Sequence, residues 1–322
     1  MKNKLIVLFG SGRSGTSWLH LMLGAHPEIV TGQQCRLFER YCLPIYQRYQ
    51  QEWREAQRDQ RVHGLASYLT EEEVIAVIRE FARTVFGKVE PLKPGARLTL
   101  ENQPGDTASP PLIARCFPDV KFIHLIRHPL DVVCSLVLGY QGFQVDDVAA
   151  ATEWWAKRMK RCLELRELGA GCLDVRFEDL LDKRTTELVR IFDFLNVEIK
   201  PEQAEAIYEE FRFENVSQGR HHSPFVNPGP VAACGTSQRN EPRGFFRGGT
   251  HGQWRSLMSR GDLQTFLDLT GDLMTKFGYS IPDPKELPRT RRSVVPLRRA
   301  IGQRIPWARQ LVARFVRRGA AS

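Results

Sequence analysis

No apolar run in the 322 residues approaches the roughly 20 needed for a membrane-spanning helix. Seven cysteines (35, 42, 116, 134, 162, 172 and 234) include no C-x-x-C pair and are odd in number. Neither a zinc ribbon nor a closed disulfide framework is supported, and a reduced, cytoplasmic compartment is the expectation. Met1 leads almost at once into an apolar strand, so a signal peptide is not expected. Acidic residues are missing from one region: Arg289 to Arg318 holds ten arginines and no Asp or Glu. The net charge of +9 is therefore local, and without those ten arginines it falls to −1. The body offers no basic groove and the tail no reading motif, so nucleic acid is not an expected partner.

The stretch Lys4–Leu23, KLIVLFGSGRSGTSWLHLML, carries the strongest signal. Leu5–Phe9 reads as a buried parallel strand. It breaks into Gly10-Ser11-Gly12-Arg13-Ser14-Gly15, and Thr16-Ser17-Trp18 opens a segment with apolar residues at helical spacing. Strand, glycine turn and helix start together make an anion site, because first-turn N–H groups lack intrahelical partners and the helix dipole favours negative charge. Gly12, Arg13, Ser14, Gly15, Thr16, Ser17 and Trp18 are the candidate binding residues. Gly10 and Gly15 have the spacing of the P-loop G-x-x-x-x-G-K-[ST], but Thr16 stands in the lysine position. That lysine serves the β- and γ-phosphates and the next hydroxyl serves magnesium, so a kinase-like reading is disfavoured and no metal is expected. A plain βα turn, with glycines serving geometry alone, is the alternative.

The same logic recurs once. Val120–Ile126 reads as a strand, and Arg127-His128-Pro129 turns into a helix containing Ser135. Arg127 at the strand end and Ser135 two turns on can reach one anion. Between the two stretches, Thr70 to Glu73 has capping-box spacing before an amphipathic helix ending near Gly87. Gln47–His63 reads as a solvated helix, and Arg97–Leu100 as a short strand before the polar turn Glu101-Asn102-Gln103-Pro104-Gly105-Asp106. Val148–Leu168 is a long helix whose Trp154-Trp155 suits core packing, and Cys172–Phe177 is a further strand. Helices follow through Leu195 and from Glu202. Phe213–Gly249 reads as a long loop that ends in Arg247-Gly248-Gly249, a third arginine-and-glycine anion site, and Asp262–Phe277 as a closing amphipathic helix.

These four segments together resemble the sulfotransferases that use 3′-phosphoadenosine 5′-phosphosulfate (PAPS), over residues 4 to about 277. GSGRSGTSWL is similar to the family's 5′-phosphosulfate loop in the arginine-bearing form of bacterial, carbohydrate and tyrosyl members. Arg127 and Ser135 resemble its 3′-phosphate pair. Val175–Leu180 resembles its R-Y-E-D-L stretch, which places an aromatic, here Phe177, near the adenine. Arg247–Arg255 resembles its R-K-G-x-x-G-D-W-K stretch, which also takes the 3′-phosphate. Departures stand beside these matches: Gln34 replaces the glutamate that is the usual base, Asn102 a lysine, and Gly248 a lysine.

The resemblance implies an α/β fold, a P-loop-like parallel sheet flanked by helices, as a single domain over 1–280, and residues 281–322 read as a basic amphipathic tail. It implies sulfuryl transfer from PAPS, a donor substrate, to an acceptor hydroxyl or amine on a small molecule, glycan or lipid-linked compound. The alternative is a relative that binds the nucleotide but has lost catalysis. Arg13 would neutralise the transferring group. The acceptor proton goes to a carboxylate or histidine, for which Glu39, Glu101, Asp106 and His128 are the candidates, each with a bland structural alternative. In the tail, arginines interleave with Leu297, Ile301, Ile305 and Phe315 around Trp307. That pattern suits an anionic membrane surface or equally a helix packed on the body. Acceptor identity and oligomeric state carry no signal.

Overall fold

The computed structural model describes residues 1–59, 63–139, 145–167, 171–226, 249–289 and 293. Cys234, Arg247, Gly248 and the tail from 294 lie outside the described residues.

Six strands form one parallel sheet: β1 (Lys4–Gly10), β2 (Ile29–Gly32), β3 (Leu98–Pro104), β4 (Lys121–Ile126), β5 (Cys172–Arg176) and β6 (Phe225–Val226). Their order is β5-β4-β1-β3-β2-β6, with every pairing parallel. β1 lies between β3 and β4, as its unbroken apolar run demands of a strand covered on both faces. The helices are α1 (Thr16–Ala25), α2 (Leu43–Asp59), α3 (Glu71–Phe86), α4 (Pro110–Cys116), α5 (Pro129–Leu138) and α6 (Val148–Glu167). They continue as α7 (Phe177–Asp182), α8 (Arg184–Leu195), α9 (Pro201–Glu210), α10 (Phe213–Ser217), α11 (Trp254–Leu257) and α12 (Arg260–Thr270).

Contacts divide the chain into two compact units. The first comprises 1–126 and 158–241, and the second 127–157 and the chain from 242. The first holds the whole sheet. Its core includes Ile6, Val7, Leu8, Leu19, Met22 and Ile123, all buried. Lys93 closes the C-terminal end of α1, its Nζ donating to the carbonyls of Gly24, His26 and Ile29 at 2.8, 2.7 and 2.8 Å. Orphan carbonyls at a helix end attract a cation in this way. α3 starts on the expected capping box, with the Thr70 side chain accepting from the Glu73 N–H and Glu73 returning the bond. Within the second unit Trp155 packs on Phe266, 5.6 Å between rings.

Several boundaries differ from expectation. β2 was not legible, because IVTG is too short to show a period. β3 runs on through Pro104, so Glu101, Asn102 and Gln103 are strand residues, each buried, instead of a turn. α2 starts four residues earlier and buries Tyr46, Tyr49 and Glu52, so it is not solvated all round. Phe177 begins a helix instead of ending a strand. The expected loop from Phe213 contains α10 and β6 in its described part. The closing helix breaks at Gly271 (φ +55°), and two 3-10 turns, Thr275–Phe277 and Pro284–Glu286, follow.

Candidate functional site

In the first unit, β1 delivers the chain into a strained turn. Arg13 and Gly15 both adopt left-handed backbone, φ +71° and +99°. An L-residue with a side chain rarely accepts that conformation, and strain of this kind concentrates where function requires it. Two glycines are explained by space. A Cβ on Gly10 would meet the Leu125 carbonyl oxygen at 2.4 Å, and one on Gly15 the Phe177 ring at 2.7 Å. Ser14 N–H donates to Ser11 O at 3.1 Å, which closes the turn. Gly15 is the N-cap of α1 and supplies no side chain to cap the first turn. The helix start is thus built to receive an anion.

Trp18 and Phe177 turn inward. The indole Nε1 donates to Phe211 O at 2.6 Å, and the two rings meet edge to face at 5.6 Å. Phe177 is 5% exposed. Here it is a support under Gly15, with little open face for stacking. Ser14, Thr16 and Ser17 are buried, and Gly12 and Arg13 complete the loop.

The end of β3 flanks this loop, and the Gly105 N–H donates to Gly10 O at 2.8 Å. Strand alternation sends neighbouring side chains to opposite faces. Asn102 faces α1, where its amide meets His20 Nδ1 at 3.3 Å. His20 Nε2 lies 2.6 Å from Thr31 Oγ1, which donates to Leu100 O at 2.8 Å. The chain is satisfied by a neutral imidazole protonated on Nε2, a tautomer assigned from its partners. His20 and Thr31 were missed by sequence reasoning. The available signal was the four-residue step from Thr16 to His20 on one helix face.

The other face of β3 is charged. Glu101, 5% exposed, accepts the Arg36 N–H at 3.1 Å. Burial pushes its carboxyl up to about 8, against the N–H groups of Arg36 and Leu37 that favour the anion. Arg36 is itself left-handed, φ +51°. Its guanidinium grips Glu39 with two bonds of 2.5 Å, Nε to Oε2 and Nη2 to Oε1. Gln34 lies beside the loop, with its amide donating to Ser17 Oγ at 3.5 Å. Asp106 accepts the N–H groups of Ala108 and Ser109 at 3.0 and 3.1 Å in the turn into α4, and burial raises its pKa. Arg158 of α6 donates to Gly105 O at 3.1 Å. Burial pushes its pKa down to about 10, with Arg161 adding to that and Glu39 and Asp106 opposing it. Nothing in the sequence marked Arg158.

The second unit contains the other arginine motifs. Arg127, the residue after β4, donates to Thr250 O at 3.0 Å, and Ser135 lies on α5, half-buried. The buried Asp131 accepts the N–H groups of Gly252 and Trp254 at 2.7 and 2.9 Å. It fastens the described end of the Gly249–Arg255 stretch to the start of α5. His128 stacks on Trp254 (5.5 Å) and meets Tyr279 edge to face (5.0 Å), so its ring is embedded in aromatic packing. The six described cysteines are free thiols.

A model of the sulfotransferase family matches residues 6–201. A putative protein-tyrosine sulfotransferase of Caenorhabditis briggsae is 27% identical over 199 residues, 61% of this chain and 66% of that protein. Protein-tyrosine sulfotransferase 2 of Gallus gallus is 27% identical over 201 residues, 60% of this chain and 51% of that one. The chain thus spans between about half and two thirds of the length of these relatives. Among solved structures, the sulfotransferase domain from the curacin biosynthetic pathway superposes with TM-score 0.52 at 18% identity, covering 87% of this chain and 99% of that one. A mouse sulfotransferase complexed with PAP gives 0.51 at 14%, covering 85% and 84%.

Proposed function

The chain belongs to the sulfotransferase family, and from that premise we propose that it moves a sulfuryl group from PAPS to an acceptor hydroxyl or amine. The observation that carries the reading is the loop Gly10–Ser17. It has an arginine in left-handed backbone, a glycine N-cap without a side-chain cap, and Thr16 where a nucleotide-triphosphate loop carries lysine. Gly12 to Ser17 take the 5′-phosphosulfate. Arg13 and the loop N–H groups neutralise charge on the transferring and leaving oxygens, where electrostatic help acts most strongly. Arg127 and Ser135 take the 3′-phosphate, the role that the sequence resemblance gives them, and Gly249 closes the described part of that grip.

The relatives' names point to a tyrosine phenol as one hydroxyl worth testing. A second reading, a nucleotide-binding protein without turnover, is favoured by Gln34, an amide beside Ser17 that cannot take a proton. One experiment addresses both. PAP binding is measured by calorimetry for the wild type, Arg13→Ala and Arg127→Ala, and label transfer from radioactive PAPS is followed on nitrophenol, a tyrosyl peptide and an aliphatic alcohol without magnesium. Each substitution is expected to weaken binding by about 1.5–3 kcal/mol, the scale of lost charge-assisted bonds. Unchanged affinity in both folded variants would overturn the reading. PAP binding with no transfer would favour the second one.

A further inference from the structure

An acceptor hydroxyl that attacks sulfur must lose a proton, and the structure separates the carboxylates around the loop by what each already does. Glu101 is 5% exposed and fixed on the Arg36 N–H, so it serves as a backbone anchor. Asp106 is 3% exposed and engaged by the N–H groups of the turn into α4. Glu39 differs: its side chain is 31% exposed, on the turn Phe38–Cys42 just beyond Gln34. Arg36 grips it in a two-bond fork that uses one lone pair on each oxygen and leaves the others available. The left-handed backbone of Arg36 persists because Glu101 holds its N–H, so two carboxylates set one strained residue and that residue aims Glu39. Arg158, whose charge interacts with Glu39 and Asp106, donates to Gly105 O, and the Gly105 N–H donates to Gly10 O at the start of the donor loop. Beside it on β3, the buried Gln103 has neither amide atom hydrogen-bonded among the described residues.

Building on the sulfuryl-transfer reading, we propose that Glu39 takes the acceptor proton that Gln34 cannot accept. The acceptor oxygen forms a bond to sulfur and its proton passes to a Glu39 carboxylate oxygen. The sulfur–oxygen bond to the donor's 5′-phosphate breaks, and its electron pair leaves with that phosphate as PAP. Glu39 then returns the proton to solvent. The Arg36 fork already occupies one lone pair on each oxygen, so the contribution of Glu39 is expected at the low end of the general-base range, about 10²-fold.

The test uses the full chain, with Glu39→Gln, Gln34→Glu and the double variant, under the transfer assay and PAP calorimetry. Glu39→Gln should lower kcat about 10²-fold with PAP affinity within twofold, since that range is the base contribution alone. The loss should be smaller on nitrophenol than on an aliphatic alcohol, because a more acidic hydroxyl needs less help. Gln34→Glu in the Glu39→Gln background should recover about tenfold by restoring a carboxylate beside the loop. A purely structural role predicts an equal fall on all acceptors together with weaker PAP binding, and that result overturns the proposal. Transfer by Glu39→Gln at the wild-type rate overturns it as well and leaves the sulfuryl-transfer reading standing. A wild type that binds PAP but labels no acceptor overturns both.

Discussion

The loops after β1 and β4 both turn a strand into a helix, yet they are held by different means. The first is a backbone construction: two left-handed residues, glycines at points of contact, and a helix start with no side-chain cap. The second is a side-chain construction, with Pro129 at the helix start and Asp131 accepting two N–H groups more than 120 residues along the chain. A backbone-built loop is held by close contacts along its own length, with no room for a side chain at Gly10 or Gly15. One built from side chains is only as rigid as its distant partner. A change at one residue should therefore damage the two loops in different ways.

The largest effect is expected from breaking the second. Asp131→Ala leaves the buried Trp254 N–H and the Gly252 N–H without an acceptor, at about 3 kcal/mol in all. Urea denaturation should show the loss, with hydrogen exchange at 252 and 254 accelerated and Asp131→Asn milder. Unchanged exchange at those two amides would mean that Asp131 is not the fastening. Breaking the first loop comes next. Gly15→Ala forces a side chain into φ +99° and against Phe177, a strain of about 2 kcal/mol. PAP binding should weaken more than tenfold, since 1.4 kcal/mol is a factor of ten. Phe177→Ala in the same chain relieves the clash but not the dihedral, so full recovery would show that only space matters at Gly15.

The smallest effect sharpens the comparison by leaving both loops alone. Arg115 and Tyr46 bond to Glu71, tying α2, α3 and α4. The guanidinium first and the phenol second hold the Glu71 carboxyl down to about 2 from 4.5. A depressed carboxylate stabilises the fold above its unfolded pKa, and that stability is lost as pH falls through the folded value. The contribution should therefore disappear between about pH 4.5 and 2 and is absent in Glu71→Gln. Both partners are more than a third exposed, so about 1 kcal/mol is expected once solvent screening is allowed for. Acid denaturation of the two proteins decides it: parallel curves below pH 4.5 would show that the pair adds nothing.

What was legible is what short-range chemistry encodes. The unbroken apolar run of β1, the glycine spacing of the first loop and the Thr70–Glu73 box each depend on residues a few positions apart, so sequence alone determined β1, that loop and the start of α3. Polarity misled at Glu101 and Asn102, which look like part of a turn but lie in a buried strand where Arg36 and His20 supply partners from elsewhere. Only the tertiary structure separated Glu39, solvent-reaching, from Glu101, a backbone anchor, and gave Asp131 its two amides. Those pairings span separations of 65 and 121 to 123 residues, and no local period or turn rule encodes which distant backbone arrives beside a given carboxylate.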